Sequence, residues 1–331
     1  MKTMLKGLCT IGFLLAGAAM PVQAETWKAS HQWPQGTGDF RAEMVEMIAN
    51  EVNAANVGLE IKIFPGAALV KPREQWNAVT RGQIEMTLFP LDYASGKFPQ
   101  FSATLMPGLV KNHEHAKRLS KSPFMDKIKA IIEENGAMVL ADGWLAGGFA
   151  SKKNCILAPE DIKGQVTRAA GPMFEKMLVG AGASISSMPS SEIYTGMQTG
   201  VLDAANTSSE SFTSYRLYEQ VTCMTPPGEH ALWFMYEPII VNKRAFDSLD
   251  DKQKKAVLDA AKKAEDFGFE RAAAADTAMV ETFQKAGVKI VYMTADQAKA
   301  WREIATMTSY KDFEASVPNG KELIDAALAV E

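Results

Sequence analysis

The chain has 331 residues, with 35 Lys and Arg against 39 Asp and Glu and a formal charge of −4. That mildly acidic balance, without basic runs, argues against nucleic acid or an anionic membrane surface as the main partner. The length favours about two domains. A small anionic ligand stays open, because one local cation can dominate a closed cleft.

The first 24 residues, "MKTMLKGLCTIGFLLAGAAMPVQA", have the layout of a secretory signal. Lys2 and Lys6 precede an apolar middle from Gly7 to Met20, and Val22-Gln23-Ala24 resembles a cleavage site. The expected mature chain begins at Glu25, keeps 307 residues and carries −6. Cys9 lies inside the apolar middle, so lipid anchoring is not expected. No later segment approaches about 18 unbroken apolar residues, the minimum for a membrane-spanning helix. Cys155 and Cys223 remain in a chain bound for an oxidising compartment; their pairing is left open.

The mature chain alternates strand-like and helical runs, which predicts layered α/β domains. "TWKASHQWP" is extended up to Pro34. In residues 39–56, Phe40, Met44, Met47, Ile48 and Val52 recur at helical spacing. "LEIKIF" alternates like a strand, "REQWNAVTRGQ" returns to helix and "IEMTLF" to strand. Residues 113–134 read as one helix, followed by the strand "GAMVLAD". A second cycle begins near residue 146. "KGQVTRAA" is strand-like, "GPMFEKMLVGAG" helical, and "ASISSM" a strand. "PSSEIYTGMQTG" is a helix that Ser190 or Ser191 can cap and Gly200 can end. "VLDAAN" and "EPIIVN" are further strands. Residues 251–286 run without proline up to Gly287, longer than a usual globular helix and suited to spanning two lobes. "VKIVYM", a helix around Trp301 and a last helix near 320–329 complete the chain.

Catalytic spacings are missing. There is no G-x-S-x-G elbow, "HEH" at 113–115 lacks an i, i+4 histidine pair, and "GTG" at 36–38 lacks the third glycine of a dinucleotide loop. His31, His113, His115 and His230 are too scattered for a zinc site; only His31, at a strand end, is a candidate cleft residue. Arg168 and Asn206 fall at the ends of two neighbouring strands, where α/β layers bind ligands. A guanidinium there needs an anion. That anion is either a ligand or an internal carboxylate such as Glu192 or Asp203.

The segment "PEDIKGQVTRAAGPMFEKMLVGAGASISSMPSSEIYTGMQTGVLDAAN" resembles the centre of the DctP-type substrate-binding proteins of TRAP transporters (tripartite ATP-independent periplasmic transporters). The matching elements are Asp161 to Arg168, Gly182-Ala183, Pro189, Ser191 to Tyr194, Met197-Gln198, Gly200 and Leu202-Asp203. The His31 strand, "FPGAALVKPREQW", "LMPGLV", "EPIIVNKRAFDSL" and the long helix extend the likeness over nearly all the mature chain.

The resemblance implies an α/β, two-lobed periplasmic-binding-protein fold with hinge strands and a long lobe-spanning helix. Lobe I would hold 25–146 and about 234–275, and lobe II 147–233 and about 276–331. It implies a paired contact between Arg168 and a ligand carboxylate, and delivery of an organic acid to the membrane permease from the periplasm. Sialic-acid binders carry a second arginine where Gly148 stands here, and their asparagine aligns near Thr207, beside Asn206. A sugar acid held in that way is therefore not expected. Trp144, Phe149, Phe212 and Trp233, with the hydroxyls of Thr207, Ser208 and Ser209, are candidate walls. They suit a monocarboxylate with an apolar or aromatic body. Glu74, Trp76 and Asp92 are candidates from the amino-terminal lobe, and Glu237 lies near a lobe crossing. No catalysis, cofactor or metal is expected, although Asn206 with nearby carboxylates could help hold a cation. The rival functions are a sensory binding protein with the same pocket and an exported serine hydrolase, which would need a base beside Ser190, Ser191, Ser208 or Ser209.

Overall fold

The computed structural model describes residues 25–331; the leader and its cleavage site lie outside the described residues. The amino-terminal part runs β1 (Glu25–Ser30), α1 (Phe40–Ala55), β2 (Leu59–Phe64), α2 (Gln75–Thr80), β3 (Met86–Leu88), α3 (His113–Leu119), α4 (Pro123–Glu134) and β4 (Ala137–Ala141). Then come β5 (Trp144–Ser151), β6 (Val166–Arg168), α5 (Pro172–Gly180), β7 (Ser184–Ile185), α6 (Ile193–Gln198), β8 (Ala204–Ser208), α7 (Ser209–Ser214), β9 (Cys223–Thr225) and β10 (Trp233–Tyr236). The chain ends with β11 (Ile239–Asn242), α8 (Lys243–Ser248), α9 (Asp251–Lys285), β12 (Lys289–Ile290), α10 (Ala295–Ala305), a π-helical turn at Thr306–Tyr310, α11 (Lys311–Ser316) and α12 (Gly320–Leu328).

The strands form two sheets, one per lobe. The first has five strands in the order β2-β1-β3-β11-β4, with β11 antiparallel to both neighbours. The second follows β12-β9-β5-β8-β6-β7, and β10 pairs with the start of β5. The chain crosses between sheets at Asp142-Gly143 and again at Glu237-Pro238, and the two crossings touch: Glu237 N–H donates to the Gly143 carbonyl at 2.8 Å. At the first crossing Asp142 accepts from Lys129 at 2.8 Å and from the Tyr236 hydroxyl. The fold is therefore the expected two-lobed α/β arrangement.

Helix α9 is the third link. Its 35 residues span about 50 Å, packing on α1 and β4 at one end and on α7, β5 and β12 at the other. Asp250 caps it through Lys252 and Gln253 N–H, and Gln253 reciprocates. Gly268 lets α1 approach closely, since a Cβ there would stand 2.6 Å from the Met44 sulfur. Helix α12 packs back on α4, so the carboxyl-terminal segment also touches the first lobe.

Local sequence explains where elements depart from expectation. Residues 113–134 form two helices because Ser122 caps a new start and Pro123 occupies its first turn. Neither Ser190 nor Ser191 caps the 193–198 helix; a 3-10 turn at Ser190–Glu192 leads into it instead. The strands expected in "ASISSM" and "VKIVYM" shrink to two residues each, at the edges of the second sheet. Cys155 and Cys223 form a disulfide with Cα atoms 5.1 Å apart, tying the loop after β5 to β9.

Candidate functional site

Arg168 ends β6 and is 1 % exposed, facing the other lobe. Its Nε donates to the Met188 carbonyl at 3.0 Å, Nη1 to the Asn206 carbonyl at 2.9 Å, and Nη2 to the Tyr93 hydroxyl at 3.1 Å. A guanidinium has five N–H donors. Three are used, which leaves one on each terminal nitrogen, the pair that a carboxylate takes in a fork-on-fork contact. Among the described residues no carboxylate forms an ion pair with it. Glu192 is exposed, and Asp203 is engaged by Lys153 at 2.8 Å and by Val166 N–H at 3.0 Å. Burial accordingly pushes the Arg168 pKa down, partly countered by Tyr93.

Tyr93 joins the lobes. It sits in the 3-10 turn Leu91–Ala94 after β3, and its hydroxyl also accepts the Ser190 N–H at 2.9 Å. Arg73 of lobe I lies 5.0 Å from the Tyr93 ring centroid and donates to Ser187 at 3.1 Å. Tyr215 of lobe II donates to the Gln32 carbonyl at 3.1 Å.

A second buried arginine, Arg41, has a different environment. It opens α1 behind the cap residue Asp39, donating to Asp39 at 2.9 and 2.7 Å and to Glu237 at 3.2 Å. It also reaches Ser208 and Ser211 of lobe II at 3.2 and 3.0 Å and stacks over Trp33 at 4.3 Å. Burial alone would lower its pKa, but Asp39 and then Glu237 outweigh that and hold it fully charged. Burial raises Glu237 and Glu210, whose Oε1 accepts the Phe40 N–H at 3.2 Å.

Several fully buried polar atoms have no hydrogen-bond partner among the described residues. They include both His31 ring nitrogens, the Gln32 and Asn206 amides, Asp92 Oδ2, and the Trp33, Trp76 and Trp233 indole nitrogens. Burial drives His31 down to about 4, so its imidazole is neutral. Asn206 is joined to Arg168 through its own carbonyl, and its side chain shares a sheet face with Thr225, both opposite Phe149. Thr207 is buried and pairs with Gly148 across β5 and β8.

The other sequence candidates are placed as follows. Trp144 donates to Ser120 at 2.9 Å and packs 5.0 Å from Tyr236. Phe149 lies between Phe174 and Trp301, and Phe212 against Phe283. Trp76 is gripped by Phe89, Phe98 and Phe101. Glu74 is exposed. Gly148 has no room for a side chain, because a Cβ there would stand 2.1 Å from the Thr225 carbonyl oxygen. An arginine at that position is sterically excluded.

The family model of bacterial extracellular solute-binding proteins, family 7 (DctP), matches residues 24–316. The chain belongs to this family. A solute-binding protein of Albidiferax ferrireducens is 37 % identical over 310 residues, covering 91 % of this chain and 92 % of that one. The 2,3-diketo-L-gulonate-binding periplasmic protein of Escherichia coli is 26 % identical, with 82 % of each chain covered. Among solved structures, a TRAP periplasmic solute-binding protein from Rhodoferax ferrireducens with bound malonate superposes with a TM-score of 0.87. It is 37 % identical, over 91 % of this chain and 96 % of that one. The Bordetella pertussis receptor DctP7, which binds pyroglutamic acid, shares the fold with a TM-score of 0.83 at 24 % identity, over 92 % of this chain and 99 % of that one.

Family 7 proteins are solute receptors rather than enzymes, and the serines here fit that role. Ser208 accepts from Arg41 and the Ser211 N–H. Ser209 donates to Asp276 at 2.6 Å, and His113 Nε2 lies 2.8 Å from the same carboxylate. The carboxylate stands between serine and histidine, so the imidazole does not face the hydroxyl and the order of a Ser-His-Asp triad is not present there. Sequence reasoning missed Tyr93, Arg41 and Asp39. Tyr93 adjoins the candidate Asp92 in "PLDYASG", which was the available signal. Arg41 had none, because a charge at a helix start usually faces water.

Proposed function

We propose that this family 7 protein is the periplasmic binding component of a TRAP transporter, capturing an organic acid between its lobes and delivering it to the membrane permease. One observation carries the reading: Arg168 is buried with no ion-pair partner among the described residues, and its two uncommitted N–H groups suit a bidentate carboxylate. The Met188 and Asn206 carbonyls of its own lobe hold the guanidinium plane before a ligand arrives, and Tyr93 of the other lobe adds its contact as the lobes close. Asn206, His31, Gln32, Trp33 and Trp233 offer the remaining polar atoms. Lobe closure excludes water and strengthens each contact.

The relatives' ligands broaden the expected ligand. Malonate is a dicarboxylate and pyroglutamate a monocarboxylate with a polar ring, so an apolar or aromatic body is not a requirement of the family. The orphaned indole and amide groups favour a small acid with further hydrogen-bonding atoms. A thermal-shift screen against some hundreds of organic acids tests this, since ligand at 100 times its Kd adds about 2.7 kcal/mol of stability. Carboxylate hits that vanish in Arg168→Ala are the expected result. Hits that survive that substitution would place the ligand elsewhere.

A further inference from the structure

Asp92 stands in the turn Leu91–Ala94 of lobe I, is 2 % exposed, and its Oδ2 has no hydrogen-bond partner among the described residues. Its carboxyl rests on lobe II. A Cβ built on Gly171 would fall 1.3 Å from Asp92 Oδ2 and 2.3 Å from its Cγ. Gly171 is extended, with φ −159°, so its backbone does not require glycine; the carboxyl of the opposing lobe does. Gly171 is the cap residue of α5, whose first turn presents free N–H groups and a partial positive charge. It lies three residues after Arg168, and the neighbour of Asp92, Tyr93, holds Arg168. Asp92 thus meets this surface only when the lobes are together.

The groups around it come from every packed element. Ser102 faces it from the 99–105 turn, Glu175 from the first turn of α5, Arg73 from the turn before α2, and Arg168 from β6. Burial raises its pKa to about 7, with Ser102 lowering it, Glu175 raising it, and Arg73 and Arg168 lowering it. Arg41 cannot serve as counter-charge, since Asp39 and Glu237 already hold it. Arg168 therefore has one positive charge to offer, and a ligand carboxylate would use it. An ionised Asp92 would then be a second anion in the same dry space.

We propose that Asp92 is a specificity-determining residue of the cleft, taking up one proton from solvent as the lobes close over an acid and so tying capture to the acid's charge. The proposal rests on the reading that a ligand carboxylate occupies Arg168. The step balances as carboxylate plus a solvent proton giving the carboxylic acid. The sign follows from linkage: a pKa higher in the closed form favours closure at low pH, and that advantage is lost as pH rises through about 7. A dianion adds a second charge that Arg168 alone does not match, and Arg73, the other cation near Asp92, is exposed to solvent, so capture of the dianion is the more strongly proton-dependent.

The test is isothermal titration calorimetry of the protein with pyroglutamate, malonate and succinate between pH 7 and 8.5, where all three acids are fully ionised. Each titration is repeated in buffers of low and high ionisation enthalpy. The expected result is uptake of roughly half a proton at pH 7 and a Kd that rises about twofold between pH 7 and 8.5, most of it in the first pH unit. Asp92→Asn should abolish the uptake and flatten the pH profile. It should also improve malonate and succinate relative to pyroglutamate about tenfold at pH 8. Carboxyl-carbon NMR of labelled aspartate in the wild-type protein reads the same proton without a substitution. Equal uptake in Asp92→Asn, or a pH-independent Kd in the wild type, would overturn the proposal. If Arg168→Ala loses every probe while Asp92→Asn changes nothing, the acid site stands and this inference falls. If no probe binds the wild type, both fall for these acids.

Discussion

Replacing Arg168 by methionine separates the two costs that this residue carries. Its two uncommitted N–H groups would give two charge-assisted hydrogen bonds to a carboxylate, each worth about 1.5–3 kcal/mol. Losing both costs about 3–6 kcal/mol, so Kd should rise roughly 10²- to 10⁴-fold. The effect on the free protein is much smaller because its terms oppose. The Met188 and Asn206 carbonyls lose their donor, at about 1–3 kcal/mol each. Against that, a buried cation without a counter-ion is removed, relieving a desolvation penalty of several kcal/mol. Tyr93 keeps the Ser190 N–H. Calorimetry of the best acid from the screen, with urea melts of the free protein, reads both quantities. The expected pattern is a lost ligand with free-protein stability changed by no more than about 2 kcal/mol. Arg168→Lys keeps the charge but not the planar fork and should fall between, at roughly 10- to 100-fold. A Kd in Arg168→Met within threefold of the wild type would refute the argument. Full rescue by lysine would refute the fork while leaving the charge.

The Cys155–Cys223 bridge closes a separation of 68 residues, and loop entropy assigns it about 4 kcal/mol. Denaturant melts with and without reductant should show that difference, and a loss under about 1 kcal/mol would mean the unfolded chain is not being restrained. His31, held neutral at about 4 by burial, contributes stability that is present above its unfolded pKa and lost as pH falls from about 6.5 toward 4. Between pH 7 and 5 that loss is about 2 kcal/mol, and it should disappear in His31→Gln; identical pH profiles in the two proteins would contradict the assignment. Gly148→Ala pushes a Cβ into the Thr225 carbonyl and should cost roughly 1–3 kcal/mol by parting β5 from β9. An unchanged melting temperature would show that the strands yield freely.

Most of the fold was legible because its signals are local. The 3.6-residue spacing of Phe40, Met44, Ile48 and Val52 marks α1, and the proline-free run up to Gly287, which takes φ +82°, marks α9. Arg168 was legible by position, at a strand end before small residues. The aromatic candidates were not, because an aromatic beside a strand end reads the same whether it packs or binds. Trp144 finds Ser120, Phe149 finds Trp301 and Phe212 finds Phe283, all distant in sequence. The disulfide stayed open for the same reason: nothing local sets the 5.1 Å between two Cα atoms 68 residues apart.

The two buried arginines show why a sequence locates charge more readily than it assigns its role. Arg41 and Arg168 are both 1 % exposed, and each reaches a residue of the opposite lobe. Arg41 carries two carboxylates, two serine hydroxyls and an indole face, so its charge is fully met within the chain. Burial of such a matched group is nearly neutral for stability but costly to break. It therefore acts as a fastener between α1, β8 and the Glu237 crossing. Arg168 meets carbonyls and a phenol, which orient it and leave its charge unmatched. A fold gains no stability from that arrangement. The difference lies in the neighbours at 3 Å, contributed by Tyr93, Met188 and Asn206 from three separate segments, and only the folded chain brings them together.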